Sequence, residues 1–155
     1  MDSKTNAMRI LEKNKISYEL ITYECDEFID GLHTAEKTGA PVEQSFKTLV
    51  AQGKSKAYYV FVVPIAEEVD LKRAAKAAGE KSIEMIPVKD IKNVTGYIRG
   101  GCTPIGMKKQ FITNIHHTAE EYETIVFSAG KVGYQVEISL ENLRKIIKIG
   151  VGDIV

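Results

Sequence analysis

Several residue types are scarce in this chain, and each scarcity excludes a class of protein. Of its 155 residues, two are cysteine and none is tryptophan. Cys25 and Cys102 lie far apart and form no CxxC or Cys/His ligand spacing. The sequence therefore indicates neither a disulfide framework nor a zinc site, and it predicts no metal and no cofactor.

Long apolar runs are also missing. No stretch approaches the roughly 20 apolar residues that a membrane helix needs. Met1 to Lys15 is charged and has no apolar segment of the secretory-signal type. We therefore expect a cytoplasmic protein that makes no contact with a membrane. The length fits one domain with one core, spanning residues 1–155.

Charge of one sign is not in excess, because lysine plus arginine and aspartate plus glutamate each number 21. Proteins that grip a long stretch of nucleic acid usually carry a basic excess, since neutralising phosphates supplies much of the affinity. The balance leaves two alternatives. Either nucleic acid is not the partner, or the protein contacts a short piece of it through a local patch.

The apolar pattern predicts helices and strands in alternation without a strict βαβ rhythm. The predicted helices are Thr5–Asn14, His33–Thr38, Leu71–Ala78, Val88–Asn93 and Leu140–Ile147. The predicted strands are Tyr18–Tyr23, Phe46–Ala51, Ala57–Val63, Ser82–Ile86, Gln110–Ile115, Thr124–Ser128 and Tyr134–Ile138. This order favours an α+β fold, in which the many short strands close into a barrel or form a strongly curved mixed sheet.

Lys47 is the first candidate for chemistry, because it lies inside a β-rich apolar run. Lysine is rarely buried unless it is paired. If its side of the strand lines a pocket, the ammonium can hold a carboxylate, an ester carbonyl or a phosphate. The alternative is a lysine that extends to solvent from a strand edge, and the spacing by itself favours that alternative.

The second candidate is the glycine-dense segment from Gly100 to Pro104, with Gly101, Cys102 and Thr103 between. Two glycines permit positive φ and a close backbone approach, so main-chain N–H groups can point at a carbonyl oxygen, as in an oxyanion hole. An ordinary tight turn has the same composition, and glycine content by itself favours the turn. The segment matches neither a P-loop nor a dinucleotide-binding turn.

The remaining candidates carry weaker signals. Ser128 lies beside a glycine turn, but no histidine follows it in sequence and no nucleophile elbow surrounds it. His116 and His117 are adjacent, which makes a poor chelate, and a solvated loop pair is expected. Lys108 and Lys109 flank the glycine segment and can contact one or two phosphates, or lie on a solvated face.

Taken in order along the chain, these segments resemble the YbaK/EbsC family, which includes Cys-tRNA(Pro) and Cys-tRNA(Cys) deacylases and is similar to the editing domain of prolyl-tRNA synthetase. The resemblance rests on motifs that run nearly end to end: Leu11–Tyr18 leading into Tyr23, Phe46–Val50, Val69–Lys72, Thr95–Tyr97, Gly100–Lys109, Ser128–Lys131 and Val136–Ile138.

The resemblance implies an α+β fold with a mixed, largely antiparallel, β-barrel-like core surrounded by short helices. It also implies hydrolysis of the ester that joins a wrong amino acid to the 3′ end of tRNA, most of all Cys-tRNA(Pro). It implies a catalytic role for Lys47, Gly100 and Gly101, and phosphate contacts at Lys108 and Lys109. It implies substrate contacts at five further positions, which are Tyr23, Thr103, Pro104, Ser128 and Gln135. Some relatives have an acidic residue where Gln135 stands, and the segment Asp26–Leu32 differs from relatives in length.

Three functions remain open at this point. The first is a trans-editing deacylase whose partners are the aminoacyl end of tRNA and prolyl-tRNA synthetase. The second is a deacylase specific for Ala-tRNA(Pro). The third is a non-catalytic module that binds aminoacyl-tRNA or a synthetase and regulates it.

Overall fold

A computed structural model describes residues 4–24 and 31–155 of the chain. The five helices of this part are α1 Asn6–Lys13, α2 Gly31–Thr38, α3 Leu71–Ala78, α4 Ile91–Thr95 and α5 Leu140–Arg144. Its eight strands are β1 Glu19–Thr22, β2 Phe46–Gly53, β3 Tyr58–Pro64, β4 Ile83–Met85, β5 Ile112–His116, β6 Ile125–Ser128, β7 Tyr134–Ile138 and β8 Ile149–Gly152. Short 3₁₀ helices cover Val42–Gln44, Val88–Asp90 and His117–Glu121.

The helix ends follow from local sequence. The Asp70 carboxylate accepts hydrogen bonds from the N–H groups of Lys72 and Arg73, both at 3.0 Å, which satisfies two free donors at the start of α3. Gly79 ends the same helix at a φ of 74°, a conformation that glycine adopts without strain. Ser139 caps α5 by accepting from the N–H of Asn142. These predicted caps are confirmed.

The strands form two sheets. One is antiparallel with the order β1-β7-β6, and the other is mixed with the order β4-β2-β3-β5-β8, in which β3, β5 and β8 run parallel. Among the described residues, an isolated parallel bridge between Ser45 and Val126 joins them. Two sheets together with five helices confirm the predicted α+β class. The described strands do not close into a barrel, so the barrel-like core stays a prediction.

The main core lies between the two sheets and is covered by α1 and α5. Phe46, Val60 and Val62 of the mixed sheet pack there against Ile125 and Phe127 of the antiparallel sheet. The opposite face of β3 packs against α3, so β3 is buried on both faces, as its unbroken apolar run predicts.

Some boundaries and one environment differ from prediction. The final helix ends at Arg144, and strand β8 was not predicted. The expectation of a solvated histidine pair is wrong for His116, which ends β5 and is 4% exposed, because the neighbouring strand β8 and Ile154 cover it. No helix among the described residues has the length and apolarity to cross a bilayer.

Candidate functional site

A cavity of about 480 Å³ opens beside strand β2. Helix α2 forms one side, the ends of β6 and β7 a second, and the segment from Met85 to Cys102 a third. Such a volume accommodates a small organic group. The predicted site residues among those that line it are Lys47, Gly100, Ser128 and Gln135.

The cavity exists because β2 has an open edge. Strand β4 pairs only with Ala51–Gly53, and the last contact on that side is the Ile86 N–H donating to the Val50 carbonyl at 3.1 Å. Main-chain groups two residues apart point to the same edge of a strand, so those of Thr48 also point there. The Thr48 hydroxyl is buried and has no hydrogen-bond partner among the described residues.

Lys47 lies in this half of β2, opposite Val63 in the β2–β3 register. Its ammonium is 3.5 Å from the Glu68 carboxylate, and its side chain is 26% exposed, against 91% for that of Glu68. A lysine held at the rim by an exposed carboxylate keeps donors available for a ligand. Glu68 also lines the cavity, and nothing in its sequence neighbourhood singles it out.

The glycine segment is fixed from several sides. A Cβ on Gly101 would lie 2.8 Å from the Lys131 Cα, so only glycine fits against that backbone. The Tyr97 hydroxyl donates to the Ile105 carbonyl at 2.6 Å, and burial raises the pKa of Tyr97 to about 12. The amide of Asn6 in α1 donates to the Gly106 carbonyl. The segment is therefore a rigid support for whatever contacts it.

The main-chain donors of this segment are not equivalent. The Gly101 N–H donates to the Ile98 carbonyl at 2.9 Å, so it is already used. The N–H groups of Gly100 and Cys102 donate to no other group in residues 4–24 and 31–155, and both residues line the cavity. Gly100 has a φ of 86°, which glycine tolerates. The two unused donors are the ones available to a carbonyl oxygen.

Ser128 and Gln135 face each other across strands β6 and β7. Each is 9% exposed. The Ser128 hydroxyl accepts from the Gly130 N–H at 3.3 Å, whereas the Gln135 amide makes no hydrogen bond to a described residue. Gln135 lines the cavity, so a ligand can reach its amide. Gln135 is therefore poised to bind a polar group.

Cys102 also lines the cavity but is not prepared to act as a nucleophile. Burial raises the pKa of its thiol to about 12, so the thiol stays protonated near neutral pH. No histidine is found among the described residues that line the cavity. Neither Cys102 nor Ser128 therefore has an imidazole base beside it.

The other predicted site residues lie outside the cavity lining. Tyr23 follows β1, and its N–H donates to the Gly133 carbonyl at 2.9 Å. Thr103 and Pro104, at the end of the glycine segment, are buried. The Lys108 ammonium donates to the Asn93 carbonyl at 3.2 Å, and Lys109 is exposed. Cys25 and most of the segment Asp26–Leu32 lie outside the described residues.

The cavity thus combines the Lys47 ammonium, main-chain donors of the glycine segment and the Gln135 amide in one largely apolar lining. Residues 32–146 match the family model of the aminoacyl-tRNA editing domain, and the chain belongs to that family.

A candidate Cys-tRNA(Pro)/Cys-tRNA(Cys) deacylase of Enterococcus faecalis (strain ATCC 700802 / V583), EbsC, is 45% identical over 139 residues, which is 89% of this chain and 85% of that protein. Two solved structures share the fold. One is a candidate trans-editing enzyme for prolyl-tRNA synthetase, with a TM-score of 0.84 and 20% identity over 99% of this chain and 98% of that one. The other, hypothetical protein APE2540, has a TM-score of 0.87 and 15% identity over 96% and 98% of the two chains.

Proposed function

We propose that this chain is a trans-editing hydrolase that removes a wrong amino acid from tRNA, with Cys-tRNA(Pro) as its substrate. The observation that carries the proposal is the cavity lined by Lys47, Gly100, Cys102 and Gln135. It lies in a chain of the editing family that has a relative 45% identical to it. We further propose that residues 1–155 act as one editing domain in the cytoplasm.

The ester of the substrate enters the cavity with its carbonyl toward the glycine segment. The N–H groups of Gly100 and Cys102 stabilise the oxyanion that develops on the carbonyl, an effect of about 3–4 kcal/mol for one donor. Gly101 supports this geometry by its close packing and does not donate to the substrate, because its N–H already donates to the Ile98 carbonyl. The Lys47 ammonium holds the carbonyl or the terminal phosphate and is an anchor, not a base.

The amino group of the substrate lies at Gln135, whose side-chain oxygen accepts a hydrogen bond from it. Ser128 lines the same end of the cavity. Tyr23, which follows β1 outside the cavity lining, contacts the substrate from there, and Thr103 and Pro104 hold the buried end of the glycine segment. An uncharged amide binds an ammonium less strongly than a carboxylate does. Recognition here therefore relies more on the amino-acid side chain than in relatives with an acidic residue at this position.

The nucleophile comes from water or from the substrate itself. Among the described residues of the cavity, the Cys102 thiol is protonated and no histidine is present to deprotonate Cys102 or Ser128. Attack by water on the carbonyl carbon breaks the bond to the ribose oxygen, which leaves with a proton as the free 3′ end. Attack by the substrate's own thiol breaks the same bond and leaves a cyclic thioester that water then opens.

One experiment separates these routes. 2-Aminobutyrate has the shape of cysteine but a methyl group in place of the thiol. If the thiol attacks, 2-aminobutyryl-tRNA(Pro) binds and is hydrolysed at least 100-fold more slowly than Cys-tRNA(Pro). If water attacks, the two rates agree within about fivefold.

Two alternative functions are each supported by a specific observation. An Ala-tRNA(Pro) deacylase fits because a pocket that admits cysteine also admits alanine, and one missing group in an apolar pocket discriminates by only about 10- to 200-fold. A regulatory module that binds aminoacyl-tRNA or prolyl-tRNA synthetase fits the absence of an activated nucleophile among the described residues. Release of amino acid by the purified chain distinguishes an enzyme from that module.

A further inference from the structure

The charge of the chain is balanced overall but not locally. Residues 81–109 contain six basic residues against two acidic ones, in a chain whose formal net charge is zero. The basic residues are Lys81, Lys89, Lys92, Arg99, Lys108 and Lys109, and the acidic ones are Glu84 and Asp90. This segment includes the third side of the cavity.

The same segment exposes apolar side chains. Met85, Val88 and Ile98 are 38%, 54% and 52% exposed, and Lys89 and Lys92 stand between them in sequence, both exposed. Met85, Val88 and Arg99 also line the cavity, so this surface begins at the cavity mouth. We define the 85–99 patch as these six residues.

The two lysines of the patch have no acidic partner in the part of the chain that the structure describes. No carboxylate of residues 4–24 or 31–155 forms an ion pair with Lys89 or Lys92, although Asp90 lies between them in sequence. Exposed apolar side chains can pack against the faces of unpaired bases, and ammonium groups without an acidic partner among the described residues can contact the phosphates.

We propose that the 85–99 patch binds the unpaired nucleotides at the 3′ end of tRNA, so that the ester reaches Lys47 and Gly100 in the cavity. This inference rests on the proposed function. The bases lie on Met85, Val88 and Ile98, and the phosphates that join them contact Lys89 and Lys92. A patch this small suits a few unpaired nucleotides rather than a duplex, which explains why the chain needs no overall basic excess.

The test uses uncharged RNA, so that it requires no hydrolysis. An acceptor-stem hairpin with the unpaired CCA end is titrated against the full chain and against Lys89→Ala/Lys92→Ala, over a range of salt concentrations. Each phosphate contact to a single strand contributes a slope of about 0.7 in log affinity against log salt, or about fourfold at 0.15 M. The double variant is expected to bind about 15-fold more weakly, with a slope smaller by about 1.4.

A matched control removes the same charge elsewhere. Lys145→Ala/Lys148→Ala replaces two exposed lysines near β8, at the opposite edge of the mixed sheet from β4. It is expected to keep both the affinity and the salt slope. Val88→Ser is expected to weaken binding without changing the slope, because it removes an apolar contact and no charge.

Three results overturn the inference: equal losses in the two double variants, equal binding to a blunt hairpin without the CCA nucleotides, or no binding of the CCA hairpin by the wild type. The proposed function fails in a different way. If no aminoacyl ester is hydrolysed but CCA-dependent binding through Lys89 and Lys92 persists, the patch stands and the chain is a binding module.

Discussion

Replacement of Lys47 by methionine is the sharpest perturbation of the site, since it removes the charge and keeps an unbranched apolar chain of similar length. The side chain is 26% exposed and its partner Glu68 is 91% exposed, so their ion pair contributes at most about 1 kcal/mol to folding. The free energy of unfolding is therefore expected to change by less than about 1 kcal/mol.

Catalysis should respond much more strongly. If the ammonium donates to the ester carbonyl or terminal phosphate, its loss removes a charge-assisted hydrogen bond of about 1.5–3 kcal/mol. At 1.36 kcal/mol for each factor of ten, kcat/KM falls about 10- to 150-fold. Lys47→Arg is expected to recover only part of this loss, because the guanidinium is larger and planar.

The assay is release of amino acid from misacylated tRNA under single-turnover conditions, with urea unfolding measured on the same preparations. Lys54→Ala, on the hairpin between β2 and β3, is the control and keeps wild-type kinetics. A Lys47→Met variant that is stable and retains kcat/KM within threefold would refute the anchor role. A variant that loses more than about 1 kcal/mol of stability would refute the structural reasoning.

Four further predictions follow from the same structure. Cys102→Ala keeps kcat within tenfold, and the wild-type rate shows no inflection from this thiol between pH 6 and 9, since its pKa is about 12; a loss as large as that in Lys47→Met would restore a protein nucleophile. Gly101→Ala lowers the free energy of unfolding by about 1–3 kcal/mol, because its methyl group meets the Lys131 backbone, as urea titration would test. Gln135→Leu lowers kcat/KM about tenfold while Gln135→Glu keeps it, in the same release assay; equal rates in all three proteins would remove this residue from the substrate site. Burial lowers the pKa of His116, so the unfolded chain takes up its proton first and stability falls as pH drops below about 6.5; unfolding at pH 7.5 and 5 should show a smaller fall in His116→Asn.

Much of the fold follows from local sequence. The cap at Asp70, the stop at Gly79 and the unbroken apolar run of β3 are local signals, and the structure confirms each of them. Strand β8 was missed because Ile149–Gly152 contains two glycines and is held in place by its pairing with β5. The environment of His116 was missed for the same reason, since burial by β8 is a long-range effect.

The features of the site also fall into two groups, those that are local in sequence and those that depend on long-range contacts. Lys47 and the glycine segment are candidates because a lysine in an apolar strand and paired glycines are unusual. Their spacing and composition by themselves favour a surface lysine and an ordinary turn, and only the family resemblance implies a role for them. The ion pair with Glu68 and the use of the Gly101 N–H within a turn depend on distances that no sequence pattern encodes. The open edge at Thr48 depends on where β4 ends, which is set by its pairing with residues 51–53.

The most direct test of the account is release of amino acid from Cys-tRNA(Pro), Ala-tRNA(Pro) and Pro-tRNA(Pro) by the purified wild-type chain. The account predicts rapid release of cysteine, slower release of alanine and no measurable release of proline. Preferential release of alanine would keep the chemistry and contradict the substrate. Release of none of the three, with tRNA still bound, would contradict the central claim that this pocket hydrolyses an ester.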